Sequence, residues 1–226
     1  MFYKTLLCIA TVAFASLTQA APPARWMSWM DQYYLNPQPD QVVDAASALG
    51  DSFADPAFTA TAIGFFSQVF ARHPDRVDGW FRQFARLPES AQRSLAAALW
   101  YSGDARGEKM LRRTAERSLY RGEIHQLATR PAVAVAETPV RSESSMDLQW
   151  GAFLASGQDA HITQILAAMG HGAVDAEARR SLAFNASRHD RVLTIFREQL
   201  DRQPNEVQSM LRAVLRDAEQ QHRKSS

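Results

Sequence analysis

The chain has 226 residues, of which 46% are hydrophobic and 22% are charged, so it is too apolar for a generally disordered protein. Its 25 basic and 24 acidic residues nearly cancel. This balance argues against nucleic acid as a partner, because polyanion-binding domains carry a clear surplus of positive charge. The single cysteine, Cys8, excludes an intrachain disulfide.

Residues 1–20 have the pattern of a secretory signal peptide. Lys4 precedes an apolar run of about a dozen residues, which is too short to span a bilayer comfortably. Small residues near Ala20 suit a signal peptidase, so we predict cleavage after Ala20 and a periplasmic or secreted product. An uncleaved N-terminal anchor is the alternative. Cleavage would remove Lys4 and Cys8, leaving a mature chain with equal numbers of acidic and basic residues and no thiol nucleophile or thiolate ligand.

Residues 21–129 form the first predicted helical half. Trp26, Trp29, Met30 and Tyr33 share one helical face, which we interpret as a packing face. A methionine and aromatic copper site is the alternative for this stripe. The apolar spacing predicts further helices over residues 42–49, 56–73, 77–84, 91–99 and 104–128.

The triplet Gly50-Asp51-Ser52 also opens the motif of one esterase family. In that family the triplet follows a buried strand, whereas here it follows an alanine-rich helical pattern. We therefore predict that it ends a helix.

Residues 130–145 interrupt the helical pattern. Pro131 and Pro139 flank alternating alanine and valine residues, which predicts an extended linker. The alternation would suit one short strand, but a lone strand would have no partner in an otherwise helical chain.

Residues 146–219 form the second predicted helical half, and residues 220–226 form a polar tail. We predict about ten or eleven helices in the whole chain, joined by short connectors. The aromatic residues expected to be buried where helices pack are Trp80, Phe81, Trp150 and Phe153.

Two short motifs of the first half recur in the second half. Residues 102–105, Ser-Gly-Asp-Ala, are echoed by Ser-Gly-Gln-Asp-Ala at 156–160, and the Arg-His segment at 72–77 is echoed at 188–192. Two of the intervals between these motifs are about 30 residues, which is typical of a helical-repeat array. The sequence therefore predicts an all-α fold in which antiparallel helix hairpins stack as a short α-solenoid.

The segment Trp150-Gly151, with Gly157 further on, resembles part of the tetratricopeptide signature. The chain is similar in this respect to tetratricopeptide and HEAT-like repeat proteins, and as a whole to exported bacterial helical proteins. The resemblance implies a stack of helix pairs. It implies no activity and no site residues.

The histidines lie at least ten residues apart, whereas a metal-binding pair on one helix usually stands four residues apart. We find no phosphate loop, dinucleotide fingerprint, calcium loop or nucleophile elbow. The sequence thus assigns no catalytic, cofactor-binding or metal-ligating residue. His73 and His189 precede an aspartate at a helix end, where we expect the helix carbonyls to favour the charged imidazole. The histidines are His73, His125, His161, His171, His189 and His222.

One helical segment is rich in arginine, with Arg112, Arg113, Arg117, Arg121 and Arg130. Because glutamates are interleaved with these arginines, we predict a solvated face, with an acidic membrane surface as the alternative partner. Asn185 begins a glycosylation sequon, but it also falls on an apolar helical face. We expect its amide to bond a neighbouring helix.

These patterns favour a non-enzymatic helical-repeat module that binds a protein or peptide on a concave face and needs no cofactor. The alternative is an exported hydrolase whose site is assembled from distant helices. No stretch after the signal peptide is apolar enough to suggest a second membrane span.

Overall fold

The computed structural model describes residues 24–117, 121–169 and 175–225, although a few side chains near helix ends in these ranges are also left aside. The predicted signal peptide and the turn at residues 170–172 lie outside the described residues. Twelve α-helices are present in the described part of the chain. They are α1 (Ala24–Gln32), α2 (Val42–Ala48), α3 (Pro56–Arg72), α4 (Val77–Phe84), α5 (Glu89–Tyr101), α6 (Ala105–Arg117), α7 (Arg121–Ala128), α8 (Glu143–Ser156), α9 (Asp159–Met169), α10 (Asp175–Arg188), α11 (Asp190–Gln199) and α12 (Asn205–Ser225).

The all-α prediction is confirmed, and no strand occurs in the described ranges. The helix predicted over residues 104–128 is divided into α6 and α7. The alternating alanine and valine residues form no strand but a single 3₁₀ turn, Val135–Glu137.

Helices α3 and α8 form the centre of the fold and make the most extensive helix–helix contact. Helix α5 also packs against α3, and α7 packs on α5. Helices α1, α9 and α10 pack against α8, while α10 and α12 pack against each other. Most of the buried apolar residues of both halves belong to one continuous core.

Two glycines allow α3 and α8 to touch backbone to backbone. A methyl group added to Gly64 of α3 would overlap the carbonyl oxygen of Leu148. A methyl group added to Gly151 of α8 would overlap the carbonyl oxygen of Thr61. Because neither glycine has a side chain, the two helix axes approach more closely than ordinary residues allow.

The two central helices run in the same direction. Residues near position 64 of α3 lie against residues near position 151 of α8, and Arg72 at the end of α3 reaches Ser156 at the end of α8. Four helices separate α3 from α8 in the chain. In a solenoid each repeat contacts only its neighbours. The predicted solenoid stacking is therefore not confirmed.

The aromatic residues predicted to pack between helices are largely buried. Trp80, Trp150 and Phe153 are at most 6% exposed, whereas Phe81 is half-buried at the edge of the core. The predicted face of α1 is also a packing face, since Tyr33 is buried and its ring lies 5.2 Å from that of Phe65.

The recurring Ser-Gly motifs mark two helix ends. Gly103 follows α5 and Gly157 follows α8, with φ angles of 68° and 65°. These left-handed angles suit a glycine that ends a helix. At the second motif, the Gly157 amide donates to the Phe153 carbonyl at 2.7 Å, so the motif closes the last turn of α8.

The remaining carbonyls at the end of α8 accept hydrogen bonds from other helices. The Tyr34 amide donates to Leu154 O at 3.1 Å. The Arg72 guanidinium donates to Ala155 O at 3.1 Å and to Ser156 O at 2.7 Å. Because the last carbonyls of a helix have no partner within it, these bonds tie α1 and α3 to the end of α8.

Arginines of the two Arg-His motifs connect elements that are distant in the chain. Each motif carries at least one arginine that pairs with an aspartate of another element. These ion pairs are largely exposed, so they orient the elements more than they stabilise them. The pairs are Arg76–Asp40, Arg188–Asp31 and Arg191–Asp159.

The segment predicted as an extended linker is irregular, but it is held by side chains of the second half. Val135 is fully buried. Gln149 donates to Val135 O at 2.8 Å and to Thr138 O at 2.7 Å, and Gln164 donates to Ala136 O at 3.0 Å. The segment therefore packs along α8 and α9 as part of the fold.

The first half also holds this segment. The Glu108 carboxylate accepts a hydrogen bond from the Ala132 amide at 2.9 Å. A methyl group on Gly103 would lie 3.1 Å from the Ala134 side chain, so the turn after α5 leaves no room for a larger residue.

We predict that Gly151→Ala will lower the free energy of unfolding by at least about 1–3 kcal/mol, the usual cost of overpacking a core. The added methyl group cannot be accommodated without separating α3 from α8. Gly79→Ala in α4 is the matched control, because its methyl group would meet only the end of the Arg82 side chain at 3.8 Å. Alanine should stabilise that helix by up to about 1 kcal/mol.

Urea unfolding of the two variants and the parent measures the difference. Equal stability of the Gly151 variant and the parent would contradict the backbone contact between α3 and α8.

Candidate functional site

An open groove of about 610 Å³ lies between α3, α5 and α7. Its size falls in the range of pockets that hold ligands, about 300–1,000 Å³. We call it the α3–α5–α7 groove. It is lined by Phe53, Ala54, Pro56, Thr59, Ala60, Ile63, Ser90, Arg93, Ser94, Ala97, Glu123, Ile124, Leu127 and Ser144.

Two helical stripes form the main walls of the groove. On α3 the lining positions are 56, 59, 60 and 63, and on α5 they are 90, 93, 94 and 97. Both sets follow the i, i+3, i+4, i+7 spacing of a single helix face. Small residues such as Ala60 and Ala97 occupy these faces, and their size leaves space between the helices.

The base of the groove is apolar. Phe53 and Ile124 are nearly fully buried, whereas Ile63 is half-buried and accessible from the groove. An aliphatic group entering from solvent would thus be removed from water on several sides. Burial of this kind contributes roughly 25 cal/mol per Å² of apolar surface.

Four polar side chains of the groove, those of Thr59, Ser94, Arg93 and Glu123, are engaged in hydrogen bonds or an ion pair. The Thr59 hydroxyl lies 2.8 Å from Asp55 O, and the Ser94 hydroxyl donates to Ser90 O at 2.8 Å. Arg93 lies 3.4 Å from Glu123 at the rim. None of these groups has the arrangement of a nucleophile beside a base.

The structure disperses the histidines. His73 ends α3 with its ring 6.2 Å from that of Trp80, and His125 is exposed on α7. His161 and His189 are buried in different elements, and the side chains of His171 and His222 lie outside the description. Among the described residues, no group of three or more histidine, cysteine or acidic side chains could hold a metal ion.

The expectation that helix carbonyls favour charged histidines is wrong at both positions. Burial lowers the pKa of His73 and that of His189 below the ordinary value, because an imidazolium loses its hydration in the interior. The His189 ring lies 6.0 Å from the Tyr34 ring and 6.3 Å from the Phe153 ring. Burial of this ring is the largest cause of its lowered pKa.

His161 has a defined tautomer. The Gln149 amide nitrogen donates to two carbonyls, so the Gln149 oxygen must accept the bond to His161 Nδ1 at 2.8 Å. The proton is therefore on Nδ1, and Nε2 is a buried acceptor without a described partner. Burial, with a smaller contribution from Arg72, lowers the pKa of His161 to about 4.

The other candidate residues occupy structural positions. Ser52 of the esterase-like triplet is 6% exposed in a 3₁₀ turn after α2. Asn185 donates to Ser181 O within its own helix at 2.9 Å, so the predicted bond to a neighbouring helix is wrong. On α6, Arg112 is exposed and pairs with Glu108 at 3.6 Å.

Only some arginines of the predicted arginine-rich face can be placed. Arg113 and Arg130 are exposed, and the side chains of Arg117 and Arg121 lie outside the described residues. None of the described helices is both long and apolar enough to cross a membrane.

We predict that the free energy of unfolding decreases as the pH is lowered from about 6.5 to about 4. His161 should cause a separable part of this loss. In this range His161 is protonated in the unfolded state but stays neutral when it is buried in the folded state, so acid favours unfolding. The His161 contribution amounts to about 3.5 kcal/mol at most, at about 1.4 kcal/mol per pH unit.

His161→Asn tests this contribution, because the asparagine amide can keep the bond to Gln149 without titrating. Urea unfolding at a series of pH values should show a shallower slope for the variant than for the parent. Parallel slopes would show that His161 does not resist protonation.

The comparisons with known proteins give no relative from which a site could be transferred. No protein-family model, no curated protein and no solved structure matches this chain.

Proposed function

We propose that this protein is an exported module that binds an aliphatic segment of a protein or peptide in the α3–α5–α7 groove. The observation that carries the proposal is the open groove of about 610 Å³, whose walls are two helix faces with small side chains. The small side chains of these walls allow the backbone of a partner to approach closely, as in helix-in-groove recognition.

The chemistry of the groove supports binding. The Thr59 and Ser94 hydroxyls donate to backbone carbonyls, and the charged residues Arg93 and Glu123 pair at the rim. The half-buried Ile63 and the buried Ile124 supply apolar contact. A partner side chain of leucine or isoleucine type suits this lining better than a charged one, because no unpaired charge lies among the residues that form it.

We predict that Ala97→Trp abolishes peptide binding while leaving the fold intact. Ala97 is half-buried on the α5 wall, so an indole there fills the groove from its solvent side. The matched control is Ala167→Trp on α9, an exposed position outside the groove.

Selection from a displayed peptide library provides the ligand. Peptides retained by the parent should be rich in aliphatic residues, should bind the Ala167 variant equally, and should lose affinity for the Ala97 variant. Peptides that bind all three proteins equally would place the interaction elsewhere, and the proposal would fail.

Export rests on the basic and apolar pattern of the first twenty residues. We predict that the exported protein begins at Ala21. N-terminal sequencing of the protein recovered from the envelope or medium measures this, and an intact Met1 would contradict cleavage.

A further inference from the structure

A second, smaller cavity of about 200 Å³ lies between α4 and α6. It shares no lining residue with the α3–α5–α7 groove. Helices α3 and α5 supply its base. The lining consists of Phe70, Pro74, Val77, Asp78, Leu99, Ser102, Asp104, Gly107, Lys109, Met110 and Arg113.

Opposite charges line this cavity from different helices. Asp78 belongs to α4, whereas Lys109 and Arg113 stand one turn apart on α6. All three are exposed, and none has an ion-pair partner within 4 Å among the described residues. The cavity therefore presents one carboxylate and two cations that are available to a ligand.

The base of the cavity is apolar, and α6 lies close to α5 beside it. Phe70, Val77 and Leu99 are all nearly fully buried. A methyl group on Gly107 would lie 3.1 Å from the Leu99 side chain, so α6 already sits close to α5 at this point. The Ser102 hydroxyl donates to Leu99 O at 2.7 Å, which leaves the charged side chains as the principal groups for polar recognition.

We propose that this cavity binds a free α-amino acid with an apolar side chain. Lys109 and Arg113 would hold the carboxylate, Asp78 would hold the ammonium group, and the side chain would lie on the base formed by Phe70 and Leu99. The volume suits a ligand of this size, since pockets for larger, drug-sized molecules start at about 300 Å³. Arginine and lysine beside a carboxylate provide charge-assisted hydrogen bonds.

Leucine is the probe, and its binding to the full chain is followed by calorimetry and by NMR shifts of labelled protein. Leucine should bind, while glycine, which lacks the apolar group, should bind at least about tenfold more weakly. N-acetylleucine and leucinamide each lack one charge, and each should also bind at least about tenfold more weakly than leucine.

Two variants assign the charges. Asp78→Asn should weaken the binding of leucine at least about tenfold but leave the affinity for N-acetylleucine unchanged, because the acetylated nitrogen carries no charge. Arg113→Met should weaken the binding of leucine but leave the affinity for leucinamide unchanged, because leucinamide has no carboxylate. The control is Arg112→Met, which removes a neighbouring α6 arginine that pairs with Glu108 and does not line the cavity. It should bind leucine as the parent does.

The replaced side chains are exposed, so the variants should fold, and circular dichroism melts verify this. Absence of leucine binding up to about 10 mM, an affinity too weak for a specific site, would overturn the proposal. It would also be overturned if N-acetylleucine bound as tightly as leucine and Asp78→Asn had no effect. The cavity would then hold an anion without recognising the ammonium group.

Discussion

The backbone contact between α3 and α8 determines where the other helices can lie. Gly64 and Gly151 remove the side chains that would otherwise separate the two helices, and each faces a carbonyl oxygen of the partner helix. Contacts between Cα hydrogens and carbonyl oxygens are common at such crossings. With this pair fixed, the end of α8 comes within reach of Arg72, and α3 forms one wall of the groove with α5.

Two polar side chains join elements that are distant in the chain. Arg72 holds the end of α8, and Gln149 joins residues 135–138 to His161. A buried amide that makes all of these bonds specifies one arrangement of its partners, because any shift would leave a polar group unsatisfied. The segment between the two halves is thus positioned by Glu108 of the first half and by Gln149 and Gln164 of the second.

Much of the helical pattern follows from the sequence, since apolar periodicity marks the packing faces and the glycines at 103 and 157 mark helix ends. The contact between α3 and α8 could not be predicted, because a glycine inside a helix does not reveal which backbone it meets. Nothing in the sequence marks Gln149 as a buried residue, because its carbonyl partners lie in a segment without periodicity. The groove was missed because its alanines and serines resemble core positions. The repeated small residues on two helix faces are the pattern that could have indicated it.

The parallel pairing of α3 and α8 also has a consequence for how the chain folds. The Arg72–Ala155 bond closes a sequence separation of 83 residues, so the central contact of this helical protein is a long-range one. Proteins dominated by local helix contacts fold fastest, and closing a long loop costs entropy before any native contact is gained. Helices α4 to α7 are synthesised before α8, so the glycine face of α3 remains without its partner until residues beyond 151 have emerged. The order of synthesis therefore keeps the two halves from completing their core separately.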